Sequence, residues 1–294
     1  ETAVGLSWVI SETFKLPEAI SYLKVRGSWA EVASSPSRYL TRMQYTYNEQ
    51  TNTYEYPSTH YNTDLKPENT KSWEFGLNSK FLNNRINLDV TLYRSNTFNQ
   101  TFYVDASASS GYKNNIVQTG NIQNQGIELA LGYSDTFNKV KVSTNFTYTI
   151  NQNEIISLAN GAVNPDTGEV IQMDYYSKGT LGISGGPTLR LSEGGTMGDL
   201  YINQRLRQSP NGYIWKDPAS GNVAIENTEY RKIGSILPKY HLGWNGNVSW
   251  NGLTLGFAFT ARVGGLVVSD TQAMMDRYGV SETSAVARQN GGVW

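Results

Sequence analysis

Leu65-Lys66-Pro67-Glu68-Asn69-Thr70-Lys71-Ser72-Trp73-Glu74-Phe75-Gly76-Leu77, continued through Asn83-Asn84-Arg85 to Tyr93-Arg94, decides how the chain folds. Trp73, Phe75, Leu77 and Phe81 share one parity; Glu74, Gly76, Asn78 and Lys80 share the other. Past Asn83-Asn84 the alternation resumes, with Ile86, Leu88, Val90 and Leu92 against Asn87, Asp89, Thr91 and Tyr93. Period-two alternation on both sides of a polar turn predicts a hairpin, Lys71–Leu82 with Arg85–Asp105. Each arm runs about ten residues or more, the length a tilted strand needs to cross an outer membrane.

The same signature recurs along the chain. Gln123–Phe137 and Lys139–Asn153 form a second predicted hairpin about Asn138, and Lys239–Asn251 with Gly252–Gly264 a third, about Asn251-Gly252. Asn-Gly is the strongest short hairpin signal. Upstream, Ala3–Ile10 reads as a strand end, Ser11–Ala19 as a turn with room for one helical turn, and Ser21–Val32 as a strand. Lys24 and Arg26 share a face there, and a cation at a bilayer midplane costs about 2–4 kcal/mol. They are expected in the lumen with Glu74, Glu128, Lys141 and Arg262, while Trp73, Phe75, Leu129, Phe146, Leu255 and Phe257 are expected against lipid. Tight joints therefore alternate with long ones: Ser34–Asp64 reads as strand extensions and a loop, and Ser107–Asn121, Ile155–Thr196 and Ser209–Glu229 as loops, with a strand at Met197–Arg207. Asp270–Val286 reads as loop with a short helix. Short turns on one side and long loops on the other mark an outer-membrane barrel, with the long loops extracellular.

Composition narrows the function classes. With 294 residues, net charge −1 and no cysteine, the chain offers no basic surface for nucleic acid, no disulfide framework and no thiolate site. Its 19 tyrosines and 28 glycines suit a membrane barrel better than a soluble α/β enzyme. No apolar run reaches the length of a transmembrane helix. Glu1 opens without a signal peptide, so the chain is expected to be mature or to start inside a longer polypeptide. Ala287–Trp294 lacks the alternation of a closing strand, so the chain is not expected to close a barrel by itself.

Catalytic patterns are weak. Asp166-Thr167-Gly168 matches an aspartic-protease triplet but occurs once, without a second carboxyl to share a proton. His60 and His241 belong to no metal-spaced cluster, and the glycine-rich Gly194–Gly198 run lacks the Lys-Ser/Thr of a phosphate loop. No nucleophile–base–acid set stands out, so neither cofactor, metal nor catalysis is expected.

The Leu65–Leu77 run, the Phe-Leu-Asn-Asn-Arg turn and the Asp89–Tyr93 strand resemble the late barrel hairpin of SusC/RagA-type TonB-dependent transporters. Leu23–Trp29, Asn124–Leu129, Glu193–Tyr201 and Gly234–Tyr240 resemble further strand and turn motifs of that family, in its order. The resemblance implies an all-β fold, the C-terminal portion of a transmembrane antiparallel β-barrel of roughly 22 strands closed around a plug, of which this chain supplies about ten. It implies import of glycans or oligopeptides across the outer membrane of a Bacteroidetes-type bacterium. A SusD-like lipoprotein would cap the mouth, TonB would supply energy, and two transporter–lipoprotein pairs could associate. The plug and the TonB-contacting segment are not matched here. A self-contained barrel acting as an adhesin or outer-membrane enzyme, and a secreted sugar-binding module, are the alternatives.

Candidate ligand contacts follow from the loop aromatics. Tyr and Trp offer a flat apolar face with a polar tip, suited to sugar rings or peptide side chains. Of Tyr45, Tyr47, Tyr54, Tyr175, Tyr176, Tyr213 and Trp215, the last four are the sharpest candidates. Arg205 and Arg207 could hold an acidic group; the plainer expectation pairs them with Glu193 or Asp199.

Overall fold

Four asparagines at the tight joints, Asn83, Asn84, Asn138 and Asn251, hold left-handed backbone, with φ of 56°, 66°, 56° and 45°. A short polar side chain tolerates that region better than other non-glycine residues, so these positions close the hairpins as the sequence predicts. In a computed structural model, described for residues 1–106, 110–159, 161, 163, 168–182 and 185–289, the chain runs β1 (Thr2–Val9), α1 (Ile10–Thr13), β2 (Ile20–Ser34), β3 (Thr46–Asn48), β4 (Thr53–Glu55), β5 (Thr59–His60), β6 (Glu68–Phe81), β7 (Ile86–Asp105), β8 (Asn114–Phe137), β9 (Val140–Ser157), β10 (Tyr176–Thr180), β11 (Thr188–Leu191), β12 (Asp199–Leu206), β13 (Ile225–Ser235), β14 (Tyr240–Trp250), β15 (Leu253–Val263), α2 (Asp270–Arg277) and α3 (Glu282–Gln289). Two compact units result. The first holds Glu1–Asp174, Ser192–Gly195 and Pro238–Gly264; the second holds Tyr175–Leu191, Thr196–Leu237 and Gly265–Trp294.

The first unit is a sheet in the order β1-β2-β6-β7-β8-β9-β14-β15, antiparallel throughout that path, with β5 added parallel to β8. Directly paired residues share a face, so the register sorts side chains into rows. Leu23, Ser79, Leu88, Leu131, Phe146, Trp244 and Phe259 form one row; Val25, Leu77, Val90, Leu129, Tyr148 and Leu242 form another on the same face. Between them runs Lys24, Asn78, Asp89, Ala130, Thr147 and Gly243, on the opposite face. The expected division therefore holds across the sheet: Phe75, Leu129, Phe146, Leu255 and Phe257 lie on the apolar face, and Lys24, Arg26, Glu74, Glu128, Lys141 and Arg262 on the other.

That apolar face is open. Trp73 is 54% exposed, Phe75 59%, Leu255 74% and Phe259 62%. On β8 it runs from Ile127 to Phe137, broken near the tight-turn end by Asp135, which pairs with Arg85 at 3.3 Å; that is about ten residue steps or ~34 Å along the strand at ~3.4 Å each. Tilted by about 40°, this spans ~26 Å, the height of an outer-membrane apolar band. Above it the same face turns polar at Arg94, Gln125 and Gln152, with a Lys71–Glu31 ion pair at 3.6 Å one row further.

Two motif glycines explain how the polar face packs. Gly76 lies directly opposite Arg26, and a Cβ there would sit 2.3 Å from Arg26 Nε. Its absence lets Arg26 lie flat across β6 to β7. There Arg26 pairs with Asp89 at 3.3 Å and donates to Thr91 Oγ1 at 2.5 Å, while Asn78 Nδ2 donates to Asp89 at 2.8 Å. Gly126 is also without room for a Cβ, which would stand 2.1 Å from the Ile150 backbone carbonyl oxygen. Tyr93 crosses it, within 2.6 Å of where a Cβ would stand, and donates to Asn151 Oδ1 at 3.1 Å.

All tight joints fall at one end of this sheet, and the joints β2→β6, β7→β8 and β9→β14 leave from the other. Several loop expectations need correction there. Most of Ser107–Asn121 is strand, since β8 begins at Asn114; residues 107–109 lie outside the described residues. Phe102, Val104, Ile116 and Val117 are buried although Ile116 and Val117 are consecutive. Both faces are covered here, which abolishes the alternation that sequence reading relies on. The Ser34–Asp64 segment, expected as strand extensions and a loop, runs along the free edge of β8 here: β3 pairs with β4, Ser58 O accepts from Lys113 N at 2.7 Å, and Asn62 Nδ2 donates to Ile116 O at 3.1 Å.

The second unit carries further corrections. Ile155–Thr196 contains the end of β9 and the strands β10 and β11, and the Ser209–Glu229 segment already contains the start of β13. Asp270–Val286 is mostly helical, in α2 and α3, with Ser269 capping α2 by accepting from Gln272 N. The expected turn at 164–167, with Asp166 and Thr167, and the terminal residues 290–294 lie outside the described residues. Among the described residues β1 and β15 are the two edges of the large sheet.

Candidate functional site

The second unit is a four-stranded sheet, β10-β11-β12-β13. Its frame is the Thr196-Met197-Gly198-Asp199-Leu200-Tyr201 run. Asp199 accepts from Thr196 N at 3.0 Å and Thr196 Oγ1 at 2.6 Å, closing the turn that starts β12. Fully buried, Asp199 is neutralised by Lys232 at 2.5 Å. A buried carboxylate without a cation would be expensive, so this pair locks β12 to β13. Gly198 admits Ile236 and Leu237, each 2.8 Å from where its Cβ would stand. Leu191 and Leu200 are fully buried.

With the frame set, register decides what gathers on the face away from Leu191 and Leu200, a face that Lys232 shares. Thr188 pairs with Tyr201, so Arg190, two residues along β11, shares Tyr201's face; Tyr230, two residues before Lys232, joins them from β13. The Arg190 guanidinium carbon lies 3.3 Å from the Tyr175 ring centroid, 3.9 Å from that of Tyr230 and 5.6 Å from that of Tyr201. Arg190 is only 8% exposed, and among the described residues its Nε has no hydrogen-bond partner. Among the described residues its side chain makes no ion pair.

The candidates read from sequence divide. Tyr175 belongs to this cluster. Tyr176 opens β10, paired in register with Leu191. Trp215 stacks on Arg207, 4.3 Å from ring centroid to guanidinium carbon. Tyr213 is 77% exposed on the same turn. Arg205 pairs with Glu226 at 2.5 Å across β12 and β13, not with Glu193 or Asp199, because the register places Glu226 directly opposite. Asp217, beside Trp215, is held below the ordinary carboxylate range by Ser220 Oγ and Ala219 N, at 2.7 and 3.0 Å.

Arg190, Tyr201 and Tyr230 were missed. The one available signal was Arg190 itself, a cation between Leu189 and Leu191 in an alternating stretch. Tyr45, Tyr47 and Tyr54 are accounted for within the first unit: Tyr47 stacks on Tyr54 across β3–β4 at 5.2 Å and Tyr45 on Tyr56 at 5.1 Å. Tyr56 also raises the Tyr45 phenol pKa, chiefly by charge repulsion. Beside that hairpin lies a cavity of about 280 Å³ lined by Tyr39, Arg42, Gln44, Ser58, Tyr61 and Ile116 among others.

The family profile described as TonB dependent receptor-like, beta-barrel matches residues 2–266. TonB-dependent receptor P3 of Formosa agariphila is 23% identical over 218 residues, 71% of this chain and 22% of that protein. TonB-dependent receptor P39 of the same organism is 24% identical, covering 94% of this chain and 30% of its own length. The RagAB peptide transporter superposes on 88% of this chain with a TM-score of 0.64 and 21% identity, using 28% of its own chain. The chain thus spans less than a third of the length of each of these relatives.

Proposed function

Because this chain belongs to the TonB-dependent receptor-like β-barrel family, we propose that it is the late barrel portion of an importer in the bacterial outer membrane. The cargo is an oligopeptide or glycan, passage is driven through TonB by regions of the protein outside this chain, and a SusD-like lipoprotein covers the extracellular mouth. The observation that carries the reading is the sheet's division: an open apolar face ~26 Å tall at the strand tilt of such barrels, a polar face crossed by Arg26 and Tyr93, tight asparagine joints at one end and long joints at the other. Lipid would cover the apolar face, since a water-soluble protein does not leave so wide a patch bare. The long joints would form the extracellular rim, with Tyr175, Tyr176, Tyr213, Trp215, Arg205 and Arg207 as contacts for cargo or lipoprotein. The likeness to a structure named as a peptide transporter favours a peptide among the two cargo classes.

The test uses the full-length protein. Alanine at Tyr175, Tyr176, Tyr213 and Trp215 together should reduce cargo binding or lipoprotein co-purification while heat-modifiable barrel assembly stays intact. Wild-type levels of all three would confine these side chains to loop packing. Uptake that persists after deletion of the whole protein would sink the importer reading.

A further inference from the structure

A buried guanidinium normally has an anion beside it, since desolvating a charge is costly unless it is paired and hydrogen-bonded. Arg190 breaks that rule: it is 8% exposed, the rings of Tyr175, Tyr230 and, further off, Tyr201 stack on its guanidinium, and among the described residues no carboxylate pairs with it. Ring contact satisfies the charge through the π-face and leaves the in-plane N–H donors unspent. Nε is one of those donors, and among the described residues it stands without a partner. Near it, the remaining cation–carboxylate pairs of this sheet are complete, Lys232 with Asp199 and Arg205 with Glu226. The two covering rings are themselves open, Tyr175 at 50% and Tyr230 at 42% exposure.

We propose that the Arg190 clamp is a recognition point for a carboxylate on the imported solute, an inference that rests on the importer reading above. The rings hold the guanidinium plane in place, so little side-chain freedom is lost when the anion arrives, and a planar fork matches a carboxylate in two parallel hydrogen bonds. Tyrosines beside the fork suit either an acidic sugar, by stacking on its ring, or the C-terminus of a peptide, by packing on its last side chain. Both sources present the same chemistry.

The experiment titrates the full-length transporter, purified with its lipoprotein, by calorimetry against two matched pairs. One is an alanine pentapeptide with a free C-terminus and its C-terminal amide; the other is trigalacturonate and its methyl ester. The acidic member of one pair should bind at least about tenfold more tightly than its neutral twin, and which pair does so identifies the source. Arg190→Gln should bring that ratio close to one and leave the neutral member's Kd within about twofold. Arg190→Lys keeps the charge without the fork and should retain only a fraction of the preference, which keeps the test alive if the Gln variant fails to assemble. Absence of acid preference in both wild-type pairs, or a preference unchanged in either variant, overturns the proposal. A preference unchanged while melting temperature falls would assign Arg190 a structural counter-anion elsewhere in the protein. Nutrient uptake by cells carrying Arg190→Gln and by a deletion strain is measured alongside. Uptake lost in the deletion but without acid preference in vitro removes the clamp alone; uptake intact in the deletion removes the importer reading with it.

Discussion

Gly76 is the position where one methyl group should disturb two strands at once. Valine at 76 would place its Cβ 2.3 Å from Arg26 Nε and 2.7 Å from Arg26 Cγ, so the arginine must leave the groove it lies in. Leaving costs the Arg26–Asp89 pair and the hydrogen bond to Thr91. The paired side chains are 40% and 35% exposed, so the ion pair is screened and contributes about 0.5–1 kcal/mol; the hydroxyl hydrogen bond adds about 1 kcal/mol. Against this, valine is favoured over glycine in a strand by up to about 1 kcal/mol. Gly76→Val alone should therefore destabilise by about 1 kcal/mol. In an Arg26→Ala background nothing is left to displace, and the same change should be neutral or stabilising. The double-mutant cycle isolates this difference, about 2 kcal/mol. It is measured by reversible urea unfolding of the full-length protein in lipid vesicles. A coupling energy below about 0.5 kcal/mol would refute the reasoning, because the glycine would then serve backbone geometry and not the passage of Arg26.

Three further outcomes test other levels of the structure. Leu131→Arg, mid-height on the apolar face, should cost about 2–4 kcal/mol in vesicles, whereas Asn145→Arg on the polar face should cost close to nothing; equal costs would mean that the faces are reversed or that neither meets lipid. Lys232→Met strands the fully buried Asp199 and should destabilise the second unit by about 3–5 kcal/mol; adding Asp199→Asn should restore some of it, seen as recovered resistance to proteolysis. The turn after Trp215 should open in acid. The folded pKa of Asp217 lies below its unfolded value, so its contribution is complete above the ordinary carboxylate range and is lost as pH falls through the lowered folded value. Trp215 fluorescence should report this, and Ser220→Ala should move the change to higher pH.

The sheet was legible in the order of residues alone. Alternation around Asn83-Asn84, Asn138 and Asn251-Gly252 is local information: one residue in two meets each face, and a left-handed asparagine marks each tight joint. It also assigned which charges lie on the polar face, because parity alone decides that. What the motif glycines are for emerges from the packing of one strand's side chains across the next. Gly76 and Gly126 lie beneath Arg26 and Tyr93, which reach them from strands distant or offset in sequence, and no local pattern reveals such a crossing. Tertiary packing likewise decided that Asn114–Asn121 is strand, where burial of both faces removes the periodicity. The candidate site divides along the same line. Aromatic loop residues were legible as a composition. Arg190 stacked by Tyr175 and Tyr230 was not, because β11, β12 and β13 must be in register before a cation on β11 meets the ring of β13, and Tyr175 reaches it from the residue before β10.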